Sequence, residues 1–237
     1  MNLDRYFTNE DIAVLLADLQ TQYPSLLEVR TIGESYEKRP ILLLVLTNKE
    51  SGKDTDKPAV GIDANIHATE ISGTTVALQV AAELLQSYAQ KPEIQELLDS
   101  AVYYIVPRFN PDGAALAMAD QPRFIRSGVR TYPWPERDEG LHEQDIDGDG
   151  RILQMRLSDP NGDWKISSLD PRLMEKRSPV EYGGQYYRLL PEGLLDNYDG
   201  YLINLARPPE GLDFNRNFPY EWRTEGEQHG AGPYPAS

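Results

Sequence analysis

The pattern of hydrophobic and polar residues predicts an amphipathic helix near the start of the chain. Thr8 and Asp11 have the spacing of a capping box, in which two side chains satisfy backbone groups at the first turn of a helix. Pro24 cannot continue a helix, so the element ends before it. The apolar residues at helical spacing between these signals are Ile12, Leu15, Leu16, Leu19 and Tyr23.

Three strands are predicted next, over residues 26–33, 40–48 and 59–66. The second is an almost continuous apolar run, which suits a strand that is covered on both faces. A polar stretch, "SGKDTDKP", separates it from the third strand, which ends just before His67.

Helical periodicity returns after residue 70, and residues 92–100 predict a further short helix that begins with a proline. Residues 101–113 predict a fourth strand that ends in a turn shaped by Asn110 and Asp112. The order of elements therefore predicts an α/β fold with a mixed, mostly parallel sheet flanked by helices. The apolar stripe predicted for the longer helix consists of Val76, Val80, Leu84 and Tyr88, with Ala77, Ala81 and Leu85 beside it.

Residues 127–212 have a different composition, dense in Pro, Gly, Asp and Tyr and with weak periodicity. We interpret this stretch as a loop-rich insertion with short strands inside a single domain that spans residues 1–237.

The charge and the absence of cysteine narrow the function further. A net charge of −15 disfavours nucleic acid as a partner, because phosphate binding needs a basic face. Without cysteine, any transition metal must be bound by His, Asp and Glu. There is no apolar run long enough to span a membrane and no signal-peptide pattern at the N-terminus, so we expect a cytoplasmic protein.

His67 and Glu70 are candidate metal ligands, because they lie three residues apart where a predicted strand gives way to a helix. An imidazole nitrogen and a carboxylate oxygen are good zinc ligands. The alternative is purely structural: Glu70 would complement a helix N-terminus, and His67 would be a satisfied loop or core residue.

Four stretches of sequence occur in an order that resembles the zinc metallocarboxypeptidases, the family of pancreatic carboxypeptidase A and its bacterial relatives. They are "NIHATE", "VPRFNPDG", "PRFIR" and "GLDFNRNFP". The resemblance implies a carboxypeptidase-like fold of the phosphorylase/hydrolase type, in a bacterial form with an acidic insertion.

The resemblance also implies residue roles. His67 and Glu70 would be two of three zinc ligands, and Arg126 would polarise the scissile carbonyl and stabilise the oxyanion. Asn215 and Arg216 would hold the free C-terminal carboxylate of a peptide substrate, since a guanidinium matches a carboxylate bidentately.

The family supplies its third zinc ligand, a histidine, and a glutamate general base after the "NRN" motif, and neither has a match before Ser237. His142 and His229 lie in predicted loops and are not expected to be ligands. We therefore expect a catalytic domain that is truncated at its C-terminus and has little or no peptidase activity alone. An exposed sheet edge in such a domain could pair two copies into a homo-oligomer.

An acidic loop in the insertion has the alternating carboxylates of an EF-hand-type calcium site. Asp145, Asp147 and Asp149 would bind the ion with their side chains and Arg151 with its carbonyl. The twelfth position is Arg156 instead of Glu, so Asp159 or Asp163 would have to add the missing carboxylate. The alternative is an acidic turn without an ion.

The predicted function is therefore zinc-dependent hydrolysis of C-terminal residues from peptides. The alternative is a non-catalytic, calcium-stabilised binding or interaction module. A related esterase or deacylase would not need the carboxylate-binding pair, and the intact "NRN" motif argues against it.

Overall fold

The structure, a computed structural model, describes residues 4–120, 122–123, 125–132, 139–207 and 210–236. The chain folds into two compact units. The first consists of residues 1–136 and 209–237, and the second of residues 137–208. The single domain with an insertion over 127–212 stays a prediction.

Among the described residues, the first unit combines four α-helices with a four-stranded sheet. Its helices are α1 (Asn9–Gln22), α2 (Ser72–Ser87), α3 (Pro92–Ser100) and α4 (Pro111–Ala117). Its strands are β1 (Leu27–Glu34), β2 (Pro40–Leu46), β3 (Ala59–Asp63) and β4 (Val102–Val106).

The mixed sheet that the sequence predicted is confirmed, with strand order β1-β2-β4-β3. Its pairings are less parallel than expected, since β1–β2 and β2–β4 are antiparallel and only β3–β4 is parallel. The connections explain this result. A short turn joins β1 to β2 as a hairpin, whereas α2 and α3 form the long crossover that a parallel pair needs.

Helix α1 begins and ends where the capping signals indicate. The Thr8 side chain accepts a hydrogen bond from the backbone of Asp11, and the Asp11 carboxylate accepts one from the backbone of Thr8. Both bonds satisfy amides that have no partner within the helix, so this helix start is confirmed.

The face that α2 buries matches the predicted pattern only in part. Val76 is 62% exposed, whereas Ala77, Leu78 and Ala81 are almost completely buried. Leu84 of the predicted stripe is buried, as are Ala77, Ala81 and Leu85 beside it, so the buried face is shifted away from Val76 toward the alanine side of the helix.

A single hydrophobic core holds the first unit together. It combines α1, α2 and α3 with the inner faces of β1, β2 and β4, and its most buried residues are Leu16, Leu27, Leu44, Leu46, Leu78, Leu85, Leu98 and Ile105. Strand β3 lies at one end of the described sheet, and its Val60 is 43% exposed. The homo-oligomer expected from such an edge stays a prediction.

The second unit consists of short antiparallel strands. They are β5 (Gly140–Glu143), β6 (Gln154–Ser158), β7 (Trp164–Ile166), β8 (Met174–Lys176), β9 (Tyr187–Pro191) and β10 (Gly193–Asp196). Strand β5 pairs with β10, and the other four form a sheet in the order β6-β9-β7-β8.

None of the helices in the described ranges has both the length and the hydropathy that a bilayer span requires. The cytoplasmic location stays a prediction.

Replacing Leu78 by alanine should lower the free energy of unfolding by about 2–5 kcal/mol, because the side chain is fully buried and its loss leaves a cavity. The matched variant on the same helix, Val76→Ala, should change stability by less than about 0.5 kcal/mol because Val76 is exposed. Urea unfolding followed by circular dichroism measures both. Equal effects of the two substitutions would contradict the packing of α2.

Candidate metal site

His67 and Glu70 face each other across a tight turn that follows β3. The backbone amide of Glu70 donates to the carbonyl of His67 at 3.2 Å, which closes the turn and brings the two side chains to the same side. Nδ1 of His67 then lies 3.0 Å from Oε1 of Glu70. The His67 side chain is 9% exposed and that of Glu70 is 61% exposed, so the pair lies at the surface with the imidazole underneath.

Asn65 shapes the start of this turn. Its φ of 56° is in the left-handed region, which asparagine tolerates better than most residues. Its Nδ2 donates to the carbonyl of His67 at 2.7 Å and to that of Ala68 at 3.3 Å. Asn65 is 5% exposed, so these bonds are made away from solvent.

The other ring nitrogen of His67 faces a buried carboxylate. Nε2 lies 3.3 Å from Oδ1 of Asp213, which is close enough for charge interaction although the two atoms are not aligned as a hydrogen bond. The Asp213 side chain is 9% exposed, and its Oδ1 also accepts a hydrogen bond from the backbone amide of Asn215 at 2.9 Å. Asp213 is not among the site residues predicted from the sequence.

Arg126 joins the same cluster from a third segment of the chain. Its Nε donates to Oδ2 of Asp213 at 2.9 Å, and its Nη1 lies 3.8 Å from Oε1 of Glu70. Its carbonyl accepts a hydrogen bond from Ala68, and its own amide donates to the carboxylate of Glu210. The segments around residues 67, 126 and 213 therefore meet at one place.

Asn215 and Arg216 lie in a short 3-10 turn, Phe214–Arg216, directly after Asp213. The side chain of Asp213 caps this turn by accepting from the amide of Asn215. Within the described part of the chain, Arg216 forms no ion pair, and its Nη1 donates only to the carbonyl of Asn215 at 2.9 Å. The guanidinium of Arg216 therefore has no carboxylate partner in the described chain.

Gly113 packs closely against the His67–Glu70 turn. A Cβ on Gly113 would lie 2.5 Å from Cβ of Ala68, so only glycine fits there. Asn110 and Asp112 were expected to shape a turn. Instead, the chain continues into helix α4, and Asn110 caps this helix by accepting a hydrogen bond from the amide of Gly113 at 3.0 Å. A proline at the first position makes this short helix start readily.

The loop after the 3-10 turn folds back against Asp213. Gly230 has a φ of 86°, its carbonyl accepts from the amide of Asp213, and a Cβ there would lie 2.8 Å from Cβ of Asp213. The Glu225 carboxylate holds this loop by accepting from the amides of Gly230 and Gly232 at 2.8 and 2.9 Å. His229 is 82% exposed in the same loop, with Nδ1 3.0 Å from Oε1 of Glu225.

A family model described as zinc carboxypeptidase matches residues 12–237. The chain belongs to the zinc carboxypeptidase family. Mouse carboxypeptidase D is 33% identical over 111 residues, which are 47% of this chain and 8% of that protein. Carboxypeptidase B of Astacus astacus is 29% identical over 167 residues, or 70% of this chain and 46% of that protein.

The crystal structure of thrombin activatable fibrinolysis inhibitor is similar with a TM-score of 0.49 and 26% identity, over 61% of this chain and 32% of that chain. The chain spans less than half the length of these relatives.

Zinc carboxypeptidases carry zinc, and the pair on the turn fits it chemically. For bond lengths near 2.1 Å, two ligands of one tetrahedral zinc ion lie roughly 3–3.5 Å apart. The 3.0 Å between Nδ1 of His67 and Oε1 of Glu70 is within that range. The other ring nitrogen of His67, Nε2, is buried and has no hydrogen-bond partner among the described residues, and the carboxylate of Asp213 beside it could accept a hydrogen bond from an N–H at this nitrogen if Nδ1 held a metal.

No third His, Cys, Asp or Glu side chain of the described residues joins this pair in a cluster. Asp213 faces the opposite ring nitrogen of His67, and His142 lies in the second unit, with Nε2 3.6 Å from Oδ2 of Asp196.

The acidic loop of the second unit brings its carboxylates together. Asp145, Asp147 and Asp149 each offer an oxygen within 4.8 Å of the others, the only such group of three among the residues described. Hydrogen bonds from the amides of Gly150 and Gly148 hold the pKa of Asp145 below its ordinary value, although burial opposes this.

Glu192, which lies beyond this loop, packs against it, and a calcium-binding carboxylate from Asp159 or Asp163 stays a prediction. Glu192 accepts from the amides of Ile146 and Leu153 at 2.6 and 3.2 Å. Asp159 instead accepts from Asn161 and Arg188.

The stability of the first unit should depend on pH through Glu225. Burial raises the pKa of this carboxyl, but the amides of Gly230 and Gly232 and the neighbouring His229 outweigh it, so the folded pKa lies below the ordinary 4.5. The stabilisation is therefore complete above about pH 4.5 and is lost as the pH falls through the folded pKa. Glu225→Gln should be less stable than the native chain at neutral pH, and the difference should shrink in acid.

Thermal unfolding of both proteins at several pH values measures this difference. The control is Glu227→Gln, which changes an exposed carboxylate of the same loop. A difference between native chain and Glu225→Gln that stays constant down to about pH 3 would show that the Glu225 carboxylate does not hold the loop.

Proposed function

We propose that this chain forms part of the catalytic domain of a metallocarboxypeptidase, which hydrolyses the last peptide bond of substrates with a free C-terminal carboxylate. One observation carries the proposal. Nδ1 of His67 and Oε1 of Glu70 lie close together at the protein surface, where both could bind one metal ion. The other ring nitrogen of His67 faces the buried Asp213. Nearly all catalytic zinc sites support their histidine ligands in this way.

The substrate carboxylate would bind to Arg216 and Asn215. The guanidinium of Arg216 has no carboxylate partner within the described chain, and its planar fork can donate two parallel hydrogen bonds to an incoming carboxylate. The side-chain amide of Asn215, which is exposed, can add a further donor. These groups would select peptides that end in a free carboxylate.

Arg126 would act on the scissile carbonyl. Its Nε is fixed by Asp213 at 2.9 Å, which orients the guanidinium and leaves its other nitrogens available to the developing oxyanion. A bound zinc ion would polarise the carbonyl and lower the pKa of a water molecule.

We further propose that these 237 residues alone hydrolyse peptides slowly or not at all. The described residues offer two zinc ligands, whereas catalytic zinc sites usually have three, together with a general base near the water. Measurements of zinc binding and of binding to a C-terminal carboxylate therefore test the proposed function of this chain better than measurements of peptidase activity do.

Zinc titrated into the native chain should bind with an affinity that falls at least about tenfold in His67→Ala and in Glu70→Gln, because each change removes one donor. Isothermal calorimetry measures the affinity. The control is His229→Ala, which removes an exposed imidazole and should leave zinc binding unchanged.

The same calorimeter tests the substrate class. A short peptide with a free C-terminus should bind more tightly than the same peptide ending in an amide, and Arg216→Gln should abolish the preference. Zinc binding that survives His67→Ala, or equal affinity for both peptides, would refute the proposed function.

We also propose that the acidic loop of the second unit binds calcium through Asp145, Asp147, Asp149 and the carbonyl of Arg151. Three carboxylate oxygens within 4.8 Å of one another suit a hard cation that prefers oxygen ligands. Such an ion would stabilise the insertion and take no part in hydrolysis.

Asp145→Asn combined with Asp147→Asn should remove calcium binding and any calcium-dependent rise in melting temperature, because two of the negatively charged donors are lost. Calorimetry with calcium chloride and thermal unfolding measure the two effects. The control is Asp199→Asn, whose side chain makes a similar local turn by accepting from the amide of Tyr201. Calcium binding without zinc binding would favour a non-catalytic module, and no calcium effect in the native chain would refute this site.

A further inference from the structure

A buried arginine lies behind the metal-binding turn and has no carboxylate partner among the described residues. Arg108 follows β4 and is 4% exposed. Its guanidinium donates to three neutral oxygens, namely Oδ1 of Asn65 at 3.1 Å, Oδ1 of Asn9 at 3.1 Å and the carbonyl of Phe7 at 2.8 Å. Burial lowers the pKa of Arg108 to about 10.

Such an arrangement is costly, because a buried charge that is not directly paired with a carboxylate loses its hydration, and the more distant Glu10 and Asp11 offset this only in part. The hydrogen bonds of Arg108 connect separate segments of the first unit. Two of the three acceptors lie at the start of α1, since Asn9 is its first residue and Phe7 comes just before it, and the third, Asn65, belongs to the turn with His67. Arg108 thus connects that turn to the N-terminal end of α1.

Within the described residues, Asn65 is the only side chain of the turn that forms a hydrogen bond with Arg108. It connects Arg108 to the backbone of the turn. Its Oδ1 accepts from Arg108 and also lies 3.4 Å from the hydroxyl of Thr74 in α2. Its Nδ2 donates to the carbonyls of His67 and Ala68. Both ends of the amide are therefore used, one toward the core and one toward the backbone of the ligand-bearing turn.

We propose that Asn65, oriented by Arg108, is a positioning residue that holds the His67–Glu70 turn in the shape that binds metal. This inference rests on the proposed function, because it concerns the same two ligands. A turn held in place before the metal arrives loses less conformational freedom on binding, which raises affinity without any added ligand.

Asn65→Gly isolates the side chain from the backbone. Glycine adopts the left-handed φ of this position without strain, so the substitution removes the amide bridge and keeps the path of the chain. Asn197→Gly is the matched control, because Asn197 also has a left-handed φ, of 52°, and belongs to the second unit.

Two readouts are needed, one with metal and one without. Zinc affinity measured by calorimetry should fall about 10- to 100-fold in Asn65→Gly and should not change in Asn197→Gly. In the metal-free chain, hydrogen exchange of the amides of Ala68 and Glu70 should become at least about tenfold faster in Asn65→Gly, while the amides of β2 and β4 exchange as in the native chain.

A second variant separates the two ends of the amide. Asn65→Asp keeps an acceptor for Arg108 but replaces the donor toward the carbonyls of His67 and Ala68 by a carboxylate oxygen. It should retain the melting temperature better than Asn65→Gly and still lose zinc affinity, which a merely structural role for Asn65 would not produce.

The outcomes distinguish this inference from the proposed function. If the native chain binds no zinc, or if His67→Ala binds zinc as well as the native chain does, the proposed function fails, and the hydrogen-exchange readout still tests the bridge. If zinc binding depends on His67 but is equal in the native chain and Asn65→Gly, the positioning role of Asn65 is overturned. Unchanged exchange of Ala68 and Glu70 would overturn it as well.

Discussion

The carboxylate of Asp213 is the point at which separated segments of the first unit converge. One oxygen faces Nε2 of His67 at 3.3 Å and caps the turn that carries Asn215, and the other accepts from Arg126 at 2.9 Å. The two side chains that Asp213 faces are a candidate metal ligand and a candidate catalytic cation. One buried charge thus sets the mutual position of groups that the covalent chain alone would leave independent.

The surroundings of this carboxylate keep it where it is. Gly230 approaches so closely that a side chain would collide with Asp213, and Glu225 fixes the loop that carries Gly230. On the other side, Asn65 and Gly113 restrain the turn with His67 and Glu70. The candidate site is therefore supported by the turn after β3, by α4 and by the loop after residue 224, and such support suits the metal binding that we propose.

Much of the fold follows from local signals in the sequence. The capping box of Thr8 and Asp11, the proline at the start of α3 and the hydrophobic runs of β1, β2 and β4 act over a few residues, and the structure confirms these elements. The buried face of α2 was predicted only in part, because the contacts that this helix makes with the core leave Val76 of the predicted stripe exposed.

The candidate site also combines features that follow from local sequence with features that depend on tertiary contacts. The proximity of His67 and Glu70 is a property of one turn, so their spacing was sufficient to predict it. The parts played by Asp213, Asn65 and Arg108 depend on contacts between residues far apart in the chain, which no local pattern encodes. The signals that could have pointed to them are a carboxylate just before "NRN" and an asparagine two residues before His67.

X-ray absorption at the zinc edge of the zinc-loaded chain tests the central claim most directly, because it reports the atoms bound to the metal. We expect a coordination shell with one imidazole nitrogen and one carboxylate oxygen, and loss of the imidazole signal in His67→Ala while Asp213→Asn retains it with weaker binding. A shell without imidazole, or an imidazole signal that persists in His67→Ala and disappears in His142→Ala or His229→Ala, would contradict the assignment of the metal site to the turn after β3.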